Sequence, residues 1–209
     1  MHVHSKESRH VRRVAHPLEK IIKLAKELGI GLSITDHDKI KKISDQIELA
    51  EKYEVDLIPG AEFCWSYITQ NNIRIEGEIL AYGINPSNQE LIEIEEKMEK
   101  SREKRDLDLI PKLEQEGIDI SVEKVREFIE DEEGIEEEGV IVRKDIVDYL
   151  IIKGHAKDKK NAYDIIKPFG HSLVHREKTP LEKLTKSIAA AGGTPVLAHV
   201  GIIINDYHL

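Results

Sequence analysis

Cysteine is nearly absent. Cys64 stands alone in 209 residues, which excludes a disulfide framework and makes a cytoplasmic location the expectation. Aromatic residues make up 5% of the chain, too few for a platform that stacks bases. Positive charge is in deficit, with 31 Lys and Arg against 40 Asp and Glu, a formal charge of -9. That argues against an extended nucleic-acid surface, which needs concentrated basic residues. It leaves room for a small phosphorylated substrate, because a metal can supply positive charge locally. No apolar run approaches the roughly 20 residues of a bilayer span, and no signal peptide is visible, so no membrane partner is expected. Internal repeats and low-complexity segments are missing too. What is left, 40% apolar and 34% charged, reads as a soluble globular chain with one core or one domain plus an insertion.

The first informative residues are His2 and His4. One residue apart on an extended segment, they point to the same side, because strand side chains alternate with period two. Both imidazoles can then reach one metal ion. Beyond them the chain acquires a rhythm. Leu18, Ile21, Ile22, Ala25 and Leu28 recur at helical spacing after Pro17, and Gly29 is the stop. Residues 31–35 form a short apolar run expected to be a buried strand, ending in Asp36, His37 and Asp38. Ile40, Ile43, Ile47 and Ala50 define a second helix, and Val55, Leu57 and Ile58 a strand that runs into Pro59, Gly60, Ala61 and Glu62. Residues 78–84 look like one more strand.

This alternation predicts a parallel sheet wrapped by helices, with polar residues at the C-terminal strand ends, where such folds place their chemistry. From residue 88 to 179 the pattern turns helical and charged, with helices expected over 90–113, 122–129, 144–152 and 161–166 and a solvated acidic loop over 130–138. A helix from Pro180, stopped by Gly192 and Gly193, leads into a buried strand over 194–199 that ends at His199. The expected organisation is therefore 1–87, the first part of an α/β barrel, 88–179, a helical insertion or cap, and 180–209, a return to the barrel.

The candidate metal ligands are His2, His4, His37, Glu62 and His199, each at or just after a predicted strand end. Imidazole and carboxylate together suit Zn, Mn or Fe rather than Ca or Mg. Taken singly, each has a plainer reading. Asp36 or Asp38 could cap a helix by accepting backbone N–H bonds, and Glu62 could be a turn residue. His10, His16, His155, His171, His175 and His208 read as ordinary surface or core histidines. Only the combination points to a metal centre.

The ordered segments His2-Val3-His4-Ser5, Ile34-Thr35-Asp36-His37-Asp38, Pro59-Gly60-Ala61-Glu62 and Leu197-Ala198-His199 resemble successive motifs of the PHP (polymerase and histidinol phosphatase) superfamily, in particular its stand-alone phosphoesterases. The resemblance implies a distorted seven-stranded (β/α) barrel, a site of two or three divalent ions (Mn, Zn or Fe), and hydrolysis of phosphoesters by metal-activated water. Substrates in that subgroup include nucleotides and oligonucleotide ends. It implies His2, His4, His37, Glu62 and His199 as ligands, with Glu62 bridging two ions, and Arg143 as a bidentate contact to a substrate phosphate. A salt bridge from Arg143 to the acidic loop is the alternative.

The sequence also departs from the family pattern. The Asp expected two residues before the first His has no counterpart, since Met1 precedes His2. The family's Ser-Asp-Gly appears as Ser8-Arg9-His10. A family His is replaced by Glu78, which could still bind metal through oxygen, and another by Asp145. Asp206-Tyr207-His208 follows His199 too closely to be the family's terminal ligand pair. The resemblance thus implies that the barrel's last one or two strands are missing. Truncation, a misplaced start, a partner chain or a decayed gene would each account for that, and an oligomer would cover the open edge. Two functions compete: a metal-dependent phosphoric ester hydrolase, and a catalytically impaired relic kept for metal or partner binding. A third places partner binding in the helical segment.

Overall fold

A computed structural model describes residues 2–8, 15–133, 141–170 and 177–207. Among them are eight helices and one open four-stranded sheet, a mixed α/β arrangement. The chain divides into two compact units, Met1–Met98 with Lys178–Leu209, and Glu99–Glu177.

In the first unit, α1 (Leu18–Leu28) follows Pro17 and ends at Gly29, whose φ of 64° lets its N–H and that of Ile30 turn back on the last helical carbonyls. The face that the spacing predicts is the buried one, with Ile22 and Ala25 packed on Leu32, Ile34 and Ala50. The expected strand over 31–35 is present as isolated parallel bridges, Val3 to Ile34 and Leu32 to Leu57. The second helix, α2 (Ile43–Lys52), starts after Ile40, which is buried in the turn before it.

The sheet corrects the sequence reading. Glu62 does not close a strand. It sits near the start of β1 (Gly60–Ile68), which pairs antiparallel with β2 (Arg74–Tyr82). The period-two signal was available: Ala61, Phe63 and Trp65 are buried on one face, while Glu62 points to the other. The strand order is β3-β1-β2-β4, with the two-residue β3 (Thr179–Pro180) parallel to β1 and β4 (Thr194–Ala198) antiparallel to β2. The paired strands are therefore mostly antiparallel, not parallel as expected, because a hairpin replaces one helical crossover. β4 is not the buried strand its apolar letters suggest. Val196 and Leu197 are 43% and 46% exposed, since β4 pairs only with β2 among the described residues.

The apolar sheet face packs on Leu91, Ile94 and Met98 of α3 (Gln89–Gln115) and on Leu184 and Ile188 of α7 (Leu181–Ala190). In the second unit, the rest of α3 joins α4 (Val122–Glu133), α5 (Arg143–Ile152) and α6 (Lys159–Gly170) around Leu109, Leu113, Val125, Phe128, Ile146 and Leu150. The expected acidic loop is helical as far as Glu133, and its remainder lies outside the described residues. A last helix that the sequence reading missed, α8 (Val200–Tyr207), places Tyr207 where its hydroxyl accepts the Glu76 N–H at 3.1 Å. Arg9, His10 and His208 lie outside the described residues. No helix among the described residues is long and apolar enough to cross a membrane.

One buried carboxylate fixes the turn beyond Asp38. Glu95, 1% exposed, accepts the Ile40 and Lys41 N–H groups on a single oxygen at 2.9 and 3.0 Å. Burial pushes its pKa up, against those hydrogen bonds. Replacing Glu95 by Ala strands two donors and is expected to cost about 1–3 kcal/mol in denaturant unfolding. Glu95→Gln keeps an amide oxygen in place and should stay much closer to the parent.

Candidate metal centre

Three backbone segments lie side by side and deliver the predicted ligands. Thr35 donates its N–H to the Val3 carbonyl at 2.8 Å, holding the His2–His4 segment against residues 34–36. Asp38 donates to the Glu62 carbonyl at 2.7 Å and Glu62 to that of Asp36 at 3.2 Å, which pairs His37 with Glu62. The hairpin adds Glu78, opposite Cys64 and hence on the same sheet face as Glu62. His199 arrives from the end of β4.

The side chains converge on Glu62, which is fully buried. Its Oε2 lies 3.1 Å from His2 Nε2, 3.2 Å from His4 Nε2 and 3.1 Å from His37 Nδ1. His199 Nε2 faces the other oxygen, Oε1, at 3.4 Å, and Glu78 Oε2 at 3.7 Å. His37 Nδ1 is 3.6 Å from Glu78 Oε1. Two trios, His2-His4-Glu62 and His37-Glu62-Glu78, each offer donor atoms within 4.8 Å of one another, and Glu62 belongs to both. All five ligand candidates and Glu78 thus come together.

Whether these residues suit divalent ions is testable on their own geometry. Donors sharing an ion at 2.0–2.2 Å stand about 3–3.5 Å apart, the spacing seen around Glu62 Oε2. Among the described residues Glu62 Oε1 is buried without a hydrogen-bond partner, although a buried carboxylate oxygen normally has one. Nitrogen donors crowd one another as well, with His2 Nε2 and His4 Nε2 3.0 Å apart. A cation would satisfy both conditions at once, and a mixed imidazole and carboxylate set suits Mn, Fe or Zn. The residues fit.

Backbone strain marks the same place. His199 has φ 52° and Asp38 φ 49°, conformations that L-residues seldom adopt. His199 accepts the Ile202 N–H at 2.8 Å and so opens α8, with its side chain 44% exposed. The helix-cap reading of Asp36 and Asp38 is corrected. Asp36 accepts both the N–H and hydroxyl of Ser5, at 2.7 and 2.6 Å, and Asp38 accepts the Cys64 N–H at 3.1 Å. These buried roles, and that of Ser8, were missed in the sequence, where a lone serine or aspartate carries no periodic signal.

Arg143 belongs to the second unit, at the start of α5. Among the described residues its ion-pair partner is Asp106 of α3, with Nε 3.5 Å from Oδ1, and most of the acidic loop that was the expected alternative lies outside those residues. Asp106 is itself held bidentately by Arg105 at 2.7 Å. Arg143 Nε and Nη2 are buried without a hydrogen-bond partner among the described residues. Burial, followed by the charge of Arg105, lowers the Arg143 pKa. Asp145 has a structural task, accepting the Val142 N–H at 2.9 Å at the head of α5.

Charge in the cluster is finely opposed. Burial acts against ionised His4, but the hydrogen bond and charge of Glu62 outweigh it and raise its pKa above 6.5. Burial likewise acts against ionised Glu62, and His4, His37 and His2 outweigh it, lowering its pKa below 4.5. Glu78 is pushed up by burial and then by the Glu62 charge. In the metal-free protein the Glu62 contribution to stability is present above pH 4.5 and is lost as pH falls through its lowered pKa. The His4 contribution is full below pH 6.5 and is lost as pH rises through its raised pKa. Thermal unfolding in chelator should therefore show losses below pH 4.5 from Glu62 and above pH 6.5 from His4, with the raised pKa of Glu78 adding a gradual loss as pH rises above 4.5. Glu62→Gln is expected to flatten the Glu62 and His4 losses. His199→Gly should raise metal-free stability by up to about 1 kcal/mol through relief of the positive φ, while weakening metal binding measured by calorimetry.

No protein-family model matches the chain, and no curated protein matches it. Solved structures do. A candidate metal-dependent phosphoesterase from Bifidobacterium adolescentis is 21% identical with a TM-score of 0.71, over 95% of this chain and 65% of that one. An amidohydrolase from Chromobacterium violaceum, solved with bound sulfate and no metal, is also 21% identical with a TM-score of 0.71, over 96% of this chain and 66% of that one. This chain thus spans about two thirds of the length of each neighbour. The likeness is one of fold: the mixed α/β architecture seen here is shared with proteins described as a phosphoesterase and an amidohydrolase.

Proposed function

We propose that this chain is a metal-dependent phosphoesterase of PHP type, hydrolysing a small phosphorylated substrate such as a nucleotide or an oligonucleotide end. The observation that carries the reading is the convergence of four histidines on one buried glutamate, one of whose oxygens has no hydrogen-bond partner among the described residues. Divalent ions held there would polarise a phosphoryl oxygen and lower the pKa of water toward neutrality. His2, His4 and Glu62 would hold one side of the site and His37, Glu62 and Glu78 the other, with His199 beside Glu62 and Glu78. Glu62 spans both, the position from which one carboxylate can bridge two ions. The exposure of His199 leaves an approach for substrate from the β4 side.

Arg143 is proposed as the contact to a substrate phosphate on the strength of the motif resemblance and of the bidentate geometry a guanidinium offers such a group. Its role is orientation. The competing reading, an impaired relic, draws support from Arg9, a cation where the family pattern has the Asp of its Ser-Asp-Gly segment, and from Asp145, which stands where the family has a His.

Elemental analysis separates the two readings, since two or three ions per chain support hydrolysis and zero or one supports the relic. Purified protein with Mn or Zn should release phosphate from nucleotides or cleave a generic phosphodiester. Glu62→Gln and His37→Ala are expected to lower kcat by at least about 100-fold. Arg143→Ala should chiefly raise KM. A folded, fully metallated protein without any such activity would overturn the proposal.

A further inference from the structure

Behind the ligand cluster lies a second layer of hydrogen bonds built from residues 5–8. Ser8 is 1% exposed. Its hydroxyl oxygen accepts the His37 backbone N–H at 2.9 Å and lies 3.4 Å from His4 Nδ1. One oxygen therefore touches two candidate ligands that come from different segments, and the rings of those ligands stack 4.5 Å apart with 13° between their planes.

The ring nitrogens of His4 have different tasks. Nε2 faces Glu62 Oε2 at 3.2 Å, so a metal at the cluster must be met by the Nε2 lone pair. Neutral imidazole then carries its proton on Nδ1, and that N–H needs an acceptor. Among the described residues, two groups are near. Asp36 Oδ1 is 3.9 Å away, beyond hydrogen-bond range, and both Asp36 oxygens are already engaged by Ser5. Ser8 Oγ is closer, and a hydroxyl oxygen has two lone pairs, one for the His37 N–H and one for His4 Nδ1–H.

The serine is also held from behind. Ser8 donates its N–H to the Ser5 carbonyl at 3.1 Å, and Ser5 is tied to Asp36, the neighbour of His37. The bonds Ser5 to Asp36 and Ser8 to His37 thus close a ring between residues 5–8 and residues 36–37. Such a ring fixes the position of the Ser8 oxygen before any metal binds.

We propose that Ser8 is a positioning residue, which sets the proton of His4 on Nδ1 and holds the rings of His4 and His37 at one fixed spacing. The proposal rests on the reading of the cluster as a metal centre. Groups that orient metal-binding histidines typically change metal affinity about 10–100-fold when removed.

A pair of variants of equal shape isolates the hydroxyl. Ser8→Thr keeps the oxygen and adds a methyl group, whereas Ser8→Val has the same outline without the oxygen. Calorimetric titration with Mn alone should give the threonine variant an affinity within about threefold of the parent, with the valine variant about 10–100-fold weaker. Equal affinities for the two variants would overturn the proposal. A second measurement uses the unmodified protein loaded with Zn, a diamagnetic ion that takes the Nε2 lone pair: nitrogen NMR of the His4 ring at neutral pH. The expected result is His4 protonated on Nδ1, and protonation on Nε2 would sink the idea even if both variants failed to fold. Failure of the parent protein to bind either Mn or Zn would instead count against the proposed function, whereas a parent that binds metal while both variants bind it equally overturns the role of Ser8 alone.

Discussion

The structure depends on a carboxylate in an unusual position. Glu62 is fully removed from solvent and surrounded by imidazoles. Burying an ionised carboxylate costs several kcal/mol unless opposite charge compensates. Here compensation comes from groups that are only half-inclined to be charged, and each side shifts the other: the histidines lower Glu62, and Glu62 raises His4. A protein selected for stability alone would sooner place an apolar residue there. Retaining Glu62 makes sense when a cation completes the balance, and the unsatisfied Oε1 marks where the balance is incomplete.

Everything around Glu62 serves to hold its partners in place. Parallel bridges align the segments of His4, His37 and Glu62. Asp36, Ser5 and Ser8 lock the first two segments together, and Asp38 reaches across to the Cys64 N–H of β1. Glu95 then fixes the turn that follows. These are short, buried, mostly charge-assisted bonds, of the kind that gives definite geometry in a low-dielectric interior. The apolar face of the sheet, anchored on α3 and α7, gives this polar assembly a rigid floor.

The helices were largely legible in the sequence, because burial of one face imposes a three- and four-residue rhythm that α1, α3 and α7 display openly. The ligand set was legible for a different reason. His2, His4, His37, Glu62 and His199 are recognisable as an ordered set of motifs, although none is distinctive alone. Strand pairing was not legible. Glu62 following Pro59-Gly60 looked like the end of a strand, yet the alternation of Ala61, Phe63 and Trp65 carries the chain on to Ile68 and back through β2. The exposure of β4 was hidden as well, since apolar letters record what a strand could bury and not whether a neighbour covers it. Ser8 and Asp36 act through single hydrogen bonds between distant segments, which leave no periodic trace.

The pairing of β1 with β2 sets Cys64 against Glu78 and so puts the two glutamates on one face. Side chains alternate between faces, so a slip of one residue would present Gly77 or Ile79 in place of Glu78 and turn the carboxylate toward the apolar side. Such a molecule could keep its helices and much of its sheet and still be unable to assemble the second trio of donors. Fidelity of one hairpin therefore separates chemically competent chains from folded but inert ones. A slipped hairpin would thus leave Glu62 without the second carboxylate that lies beside it on that face.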